Sequence, residues 1–263
     1  MTWTGIVRLD LARHRERTVA ERQFCTGALK VMRPTVRPDS ALPHWTLMNV
    51  GGGYVGGDRY AIDLRLGPGS HAVLDGQAAT KIFRSEGTHA LQRTEIRMGS
   101  GSHLVLRPQA LIAYRGARYV QETTVTMASD SRLVSREIVT AGWSPDGQHF
   151  AFDSVRLRLR ANLTSGNPLL IDNLLLEPRM LDPRSPLVLG DHTHLGTLVV
   201  ISAGRIPQVA AVREICAAAS EPDLRFGVGG IAGRTLVVRC LGNSTQSVER
   251  GLHAVESFCH SAD

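Results

Sequence analysis

Aromatic residues are scarce in this chain, only 5% of its 263 positions. That scarcity counts against binding to single-stranded nucleic acid, which relies on aromatic faces for base stacking. No C-x-x-C pair occurs. Cys25, Cys216, Cys240 and Cys259 lie far apart, so neither a zinc site nor a dithiol motif is written in them, and four reduced thiols are the simplest reading. No apolar run is long enough to span a bilayer, and MTWTGIVRLDLARHR at the N-terminus carries Arg8 and Asp10 where a signal peptide needs an unbroken apolar stretch. The expectation is a cytoplasmic protein without a membrane partner. Catalytic signatures are missing as well: there is no G-x-S-x-G elbow, no H-E-x-x-H helix and no EF-hand loop. An enzyme is not favoured.

The composition is enough for a folded core. Hydrophobic residues make up 43% of the chain, and neither a low-complexity linker nor a repeat of fixed period divides it, so residues 1–263 read as a single domain. The formal net charge of +6 suits an anionic partner and equally suits an ordinary soluble surface.

The densest local signal is NVGGGYVGGDRY, residues 49–60, with Gly51, Gly52, Gly53, Gly56 and Gly57 followed by Asp58 and Arg59. Gly51, Gly53 and Gly56 satisfy G-x-G-x-x-G, the dinucleotide fingerprint, but that motif needs a helix directly after it. The next residues, RYAIDLRL, alternate with a period of two, which makes a strand. The glycines therefore fit a tight reversal between the strands PHWTLMNV and RYAIDLRL. The same alternation recurs in GIVRLDLAR, ALQRTEIRM, SHLVLRP, RYVQETTVTM and SVRLRLRAN, with turn residues between them at spacings too short for crossover helices. The chain should be mainly β, antiparallel or coiled. Two segments in its C-terminal part depart from this: IPQVAAVREICAAAS, and NSTQSVERGLHAVESFCH with the apolar stripe Val248, Leu252, Val255 and Cys259 behind a cap at Ser244 or Thr245. Both are predicted helices.

Three polar groupings invite a functional reading. His192 and His194 in DHTH would face the same way on a strand and could share a metal ion, or could belong to a polar loop. His253, Glu256 and His260 line up along the last predicted helix as ligands or as a solvated face. Arg156, Arg158 and Arg160 form one face of a strand, either a basic stripe for an acidic partner or the solvent side of a half-covered sheet.

Taken together, GALKVMRP, NVGGGYVGGDRY, QAATKIFRS, RPQALIAYRGARY, SREIV and LVVRCLG occur in an order that resembles the urease accessory protein D family, also called UreD or UreH. The resemblance runs from about Gly5 to the last helix. It departs at Ala110, where many members carry a glutamate, and at Asp75 and Gly76, where hydroxyl residues are usual. It implies an elongated, coiled β fold with a pair of helices, and a non-enzymatic chaperone of metallocentre assembly that binds apo-urease and further accessory proteins, one of them a GTPase. Nickel would be handled transiently, with no cofactor bound tightly and no nucleic-acid partner. Within the family motifs, Gly51, Gly52, Gly53, Gly56, Gly57, Gln77, Lys81 and Arg84 are the structural candidates, with Lys81 and Arg84 expected near Asp58. Asp58, His192 and His194 are the transit candidates for the ion. The alternative is a β-rich enzyme acting on an anionic or carbohydrate substrate.

Overall fold

The alternating segments become strands that coil around a shared interior. A computed structural model describes residues 2–37, 40–202, 206–220 and 222–261, and the strands among them form two sheets. The first runs in the order β15 (Pro168–Leu176), β14 (Ser154–Leu163), β12 (Arg118–Met127), β9 (Ala90–Met98), β6 (Arg59–Leu66), β1 (Gly5–His14), β2 (Arg17–Gly27). The second runs β17 (Arg225–Ile231), β18 (Thr235–Gly242), β16 (His194–Ser202), β13 (Arg132–Thr140), β10 (His103–Arg107), β7 (His71–Gly76), β5 (Ser40–Asn49), β3 (Leu29–Val31). Short strands β4 (Thr35–Arg37), β8 (Thr80–Ile82) and β11 (Leu111–Ala113) pair beside it. Helices α1 (Val209–Ala218) and α2 (Thr245–Ser261) complete the chain.

β6, β9, β12 and β14 pair in parallel, and so do β7, β10 and β13. Parallel neighbours ordinarily need a helical crossover. Here the crossover is a strand of the opposite sheet, and the chain passes from β6 to β7, β9, β10, β12 and β13 as a winding coil. Tyr60, Gln92, Gln121 and Leu157 are ladder partners on successive coils, at strides of 32, 29 and 36 residues. The unequal stride explains why the sequence shows no fixed period. Antiparallel pairing is confined to the margins, where β2, β3, β4, β15, β16, β17 and β18 close the sheets.

One core lies between the sheets, with Leu64, Ile96, Val125 and Ala161 stacked coil upon coil. A second lies between the second sheet and the helices, where Val134, Val200 and Val238 meet Val212 and Cys216 of α1 and the stripe of α2. The second sheet is thus covered on both faces, which is why β16 reads as the nearly unbroken apolar run LGTLVVIS. Val248, Leu252, Val255 and Cys259 are all fully buried, each aliphatic chain contributing about 1.5–3 kcal/mol relative to exposure. Ser244 caps α2, its Oγ accepting from Ser247 N at 3.1 Å. All four cysteines are free. Burial pushes the thiols of Cys216 and Cys259 up to about 11 and that of Cys240 to about 12.

Glu256 corrects one expectation. It is neither a solvated residue nor a metal ligand: at 1% exposure it is buried under the second sheet, where the Arg107 fork reaches it at 2.7 and 3.0 Å and Arg136 at 3.8 Å. Burial alone would raise its carboxyl, but His260, 3.8 Å away, and Arg107 outweigh that and hold it at about 2. The arginines of β14 have a different setting. Arg158 faces Glu122 at 3.5 Å and Glu122 faces Arg93 at 3.3 Å, while Arg8 and Asp63 pair at 3.4 Å. The outer face of the first sheet is a ladder of mixed charge, the solvent side of a half-covered sheet. Among the described residues, no helix is long and apolar enough to cross a membrane.

Candidate functional site

The glycine corner joins β5 to β6 and closes one end of the first core. Asn49 starts it, its Oδ1 accepting from Gly51 N at 2.8 Å, and Gly52 turns the chain at φ 79°. Gly53 is required for a different reason. A Cβ there would stand 2.5 Å from Phe83 Cε2 and 2.8 Å from the Lys81 carbonyl oxygen, so only glycine lets Tyr54 pair in parallel with Ile82. Tyr54 then points inward, stacked on Tyr60 at 4.0 Å and donating to Gln92 Oε1 at 2.6 Å.

Asp58 holds the far side of the corner. Its Oδ1 accepts from Thr4 Oγ1 at 3.1 Å, and its Oδ2 accepts from Val55 N at 2.9 Å and Tyr60 OH at 3.2 Å. Burial pushes the Tyr60 phenol up to about 12, so it stays a neutral donor to that carboxylate. With both oxygens engaged in the turn, Asp58 acts here as a clasp between the N-terminal strand and the corner.

Behind the corner a cavity of about 320 Å³ enters the space between the sheets. Gly52, Gly53, Gln77 and Lys81 stand at its margin, and Gln92, Thr94, Gln121, Thr123 and Glu137 line it. Thr94 and Thr123 are ladder partners on β9 and β12, as are Gln92 and Gln121. Gln121 Nε2 donates to Glu137 Oε1. Glu137 in turn is the register partner of Thr197 on β16, and Thr197 of Arg239 on β18. Arg239 donates to Thr197 and, at 2.5 Å, to Asp172 Oδ1 on β15. A polar seam thus crosses the interior from the glycine corner to the Arg239–Asp172 pair, whose side chains are 34% and 23% exposed.

Glu137 is the centre of that seam. Protein encloses it, yet part of its surface opens to the cavity. Burial pushes its carboxyl up to about 7; the Gln121 hydrogen bond and Arg239 pull against that, and Asp172 adds to it. A carboxyl held there sits close to its titration point near neutral pH, beside the side-chain oxygens of Thr94, Thr123 and Gln121 that line the same cavity. Among the described residues, no three His, Cys, Asp or Glu side chains converge as a ligand set.

The family model for UreD urease accessory protein matches residues 4–262. The chain belongs to the UreD family. It is 40% identical to the urease accessory protein UreD of Arthrobacter sp. (strain FB24), over 90% of this chain and 83% of that relative. The UreD of Paenarthrobacter aurescens (strain TC1) is 38% identical, over 95% and 88%, and that of Bacillus sp. (strain TB-90) 32%, over 98% and 94%. Membership in the UreD family places the chain in urease maturation as an accessory protein rather than an enzyme, and the enzyme alternative falls with it.

Within this UreD-family fold the candidate residues separate. Gly51, Gly52, Gly53, Gly56, Gly57 and Asp58 form the corner, and Gln77 and Lys81 stand exposed at the cavity margin. Arg84 is not beside them: it lines a different concavity with Arg115 and Trp143. His192 and His194 do not share a strand face. His192 sits in the turn before β16, its Nδ1 3.0 Å from the Leu189 carbonyl oxygen, while His194 opens β16 with Nδ1 2.8 Å from Thr193 Oγ1. Burial, then the neighbouring His149, lowers the pKa of His194. Ala110, where the sequence resemblance departs, is buried in the core under the helices.

The interior polar residues are missed by pattern reading although the signal is there. In ALQRTEIRM the inward parity of Ala90, Ile96 and Met98 also turns Gln92 and Thr94 inward. Tyr119, Val125 and Met127 do the same for Gln121 and Thr123, and Leu133 and Val139 for Glu137. Polar residues at inward parity on three strands are the mark of a wet interior.

Proposed function

We propose that this chain is a chaperone of urease metallocentre assembly, which binds apo-urease together with further accessory proteins, one of them a GTPase, and assists the insertion of nickel. The observation that carries the reading is the polar seam through a β-coil whose neighbouring inward ladder, Leu64, Ile96, Val125 and Ala161, is apolar. A core gains nothing from Gln92, Thr94, Gln121, Thr123 and Glu137 at five inward positions: burying such groups costs about 1–3 kcal/mol each where they are imperfectly paired. Retaining them makes sense if the interior passes a hydrated ion. Single carboxylate, hydroxyl and amide oxygens suit transit, since weak oxygen ligands release nickel where a closed imidazole or thiolate cage would keep it. Nickel is cargo in this account, held by no resident site.

The test is co-expression of the urease structural genes and the accessory genes with and without this one. With the chain present, urease is expected to contain nickel and to co-purify in part with the chain before activation. Without it, urease should accumulate as apoprotein. Nickel-loaded, active urease in its absence would overturn the proposal.

A further inference from the structure

A larger concavity, of about 1090 Å³, shares no lining residue with the polar seam. Its floor is an aromatic ladder built by the coil. Tyr114 N donates to the Ile82 carbonyl at 2.8 Å and Trp143 N to the Ala113 carbonyl at 3.0 Å, which sets Phe83, Tyr114 and Trp143 side by side on successive coils. Their ring centroids are 4.9 and 5.0 Å apart. Trp143 ends the row with 52% of its surface exposed.

The same stride aligns charge. Phe83 and Tyr114 are each followed by an arginine, so Arg84 and Arg115 stand beside the rings. Arg118 at 2.9 Å and Arg179 at 3.8 Å both face the single carboxylate of Asp153, and Arg84 makes no ion pair among the described residues. Five arginines line the groove; Arg115 pairs with Asp146 and Arg184 with Asp182, so the excess positive charge, set against Glu86 nearby, rests on Arg84 and on the two arginines that share Asp153. The turn segment that supplies Arg179, Asp182 and Arg184 also carries Met180, Leu181 and Leu187, exposed by 83%, 60% and 95%. Large apolar side chains held in water beside a groove mark a surface used in contact.

We propose that this groove docks an acidic segment of a protein partner, a carboxylate-rich stretch with a large apolar or aromatic side chain. The apolar chain seats against Trp143 and the ladder, and the carboxylates meet Arg84 and Arg179 in charge-assisted pairs. Tryptophan, tyrosine and arginine are the residues that dominate protein interfaces. A single nucleic-acid strand also uses arginine and stacked rings, but Met180, Leu181 and Leu187, exposed on the segment that supplies Arg179, offer it no contact. The inference deepens the reading that the chain works by holding partners, and it makes no use of the metal path.

The experiment uses purified full-length protein and a phage-displayed library of random 16-residue peptides, with oligo(dT)12 as a separate probe. Peptides enriched on the wild type should carry net negative charge and at least one Trp, Phe, Leu or Met. Their dissociation constants should rise at least tenfold on Trp143→Ala and on Arg84→Glu/Arg179→Glu, and should rise with salt. Arg179 is 86% exposed on its side chain, so the charge variant remains informative if Trp143→Ala does not fold. The proposal is overturned by neutral or basic winners, by peptides that bind both variants as well as wild type, or by no enrichment above the bare support. It is also overturned if oligo(dT)12 binds more tightly than any peptide and depends on Trp143. Because no urease is present, these outcomes are separate from failure of the activation test.

Discussion

Replacing Glu137 by Gln should change how stability depends on pH. The carboxyl has an ordinary value of 4.5 and sits at about 7 in the folded chain. At about 1.4 kcal/mol per unit, that difference amounts to about 3 kcal/mol. The sign is set by which state holds the proton. Below pH 4.5 the group is protonated folded and unfolded, and nothing is lost. Between 4.5 and 7 the unfolded chain releases its proton while the folded chain keeps it, so stability falls as pH rises; above 7 the loss is complete. Glutamine has nearly the same shape, can still accept from Gln121 Nε2, and carries no titrating proton. Urea unfolding of both proteins at pH 4.5, 6 and 8 isolates the effect, because every other group is common to both. The variant should gain about 3 kcal/mol on wild type between the lowest and highest pH. A difference that stays constant across the range would refute the claim that Glu137 is buried as an acid.

Two further substitutions test the glycine corner. Gly53→Ala places a methyl group against Phe83 and the Lys81 carbonyl and should destabilise by about 1–3 kcal/mol, read as a melting point several degrees lower; an unchanged melting point would mean that the approach is looser than described. Asp58→Ala removes the acceptor for Thr4, Val55 and Tyr60 and should cost about 1–3 kcal/mol of stability, with urease activation falling only in step with the folded fraction. A variant that melts normally but fails to activate urease would make Asp58 a functional ligand instead of a clasp.

Much of this architecture is legible in local pattern. The period-two alternation of RYAIDLRL and RYVQETTVTM gives β6 and β12 with the bounds observed, and the stripe behind Ser244 gives α2. Pairing is less legible. Whether β6 meets its neighbour antiparallel through a hairpin or parallel through the opposite sheet is decided by long-range closure, and unequal coil strides leave no period to read. Glu256 is hidden for a related reason. Its place on the helix, one residue from Val255, is compatible with a solvated flank, and only Arg107, 149 residues away in sequence, makes it a buried anchor. The interior polar residues are hidden differently. Their parity is readable, but the seam emerges only when β9, β12, β13, β16 and β18 are brought into register.

The most direct test of the account is the nickel content of urease matured in cells by a Thr94→Val/Thr123→Val variant of this chain. Valine keeps the volume of threonine and removes two hydroxyl oxygens from the cavity wall; Thr94 Oγ1 accepts only one long bond, from Gln92 Nε2 at 3.4 Å, so the coil should remain folded with a melting point lowered by a few degrees at most. Urease from those cells should contain several-fold less nickel per active site than urease matured by the wild-type chain, at equal levels of accessory protein. Full nickel loading by a folded variant would contradict the claim that the polar seam carries the ion.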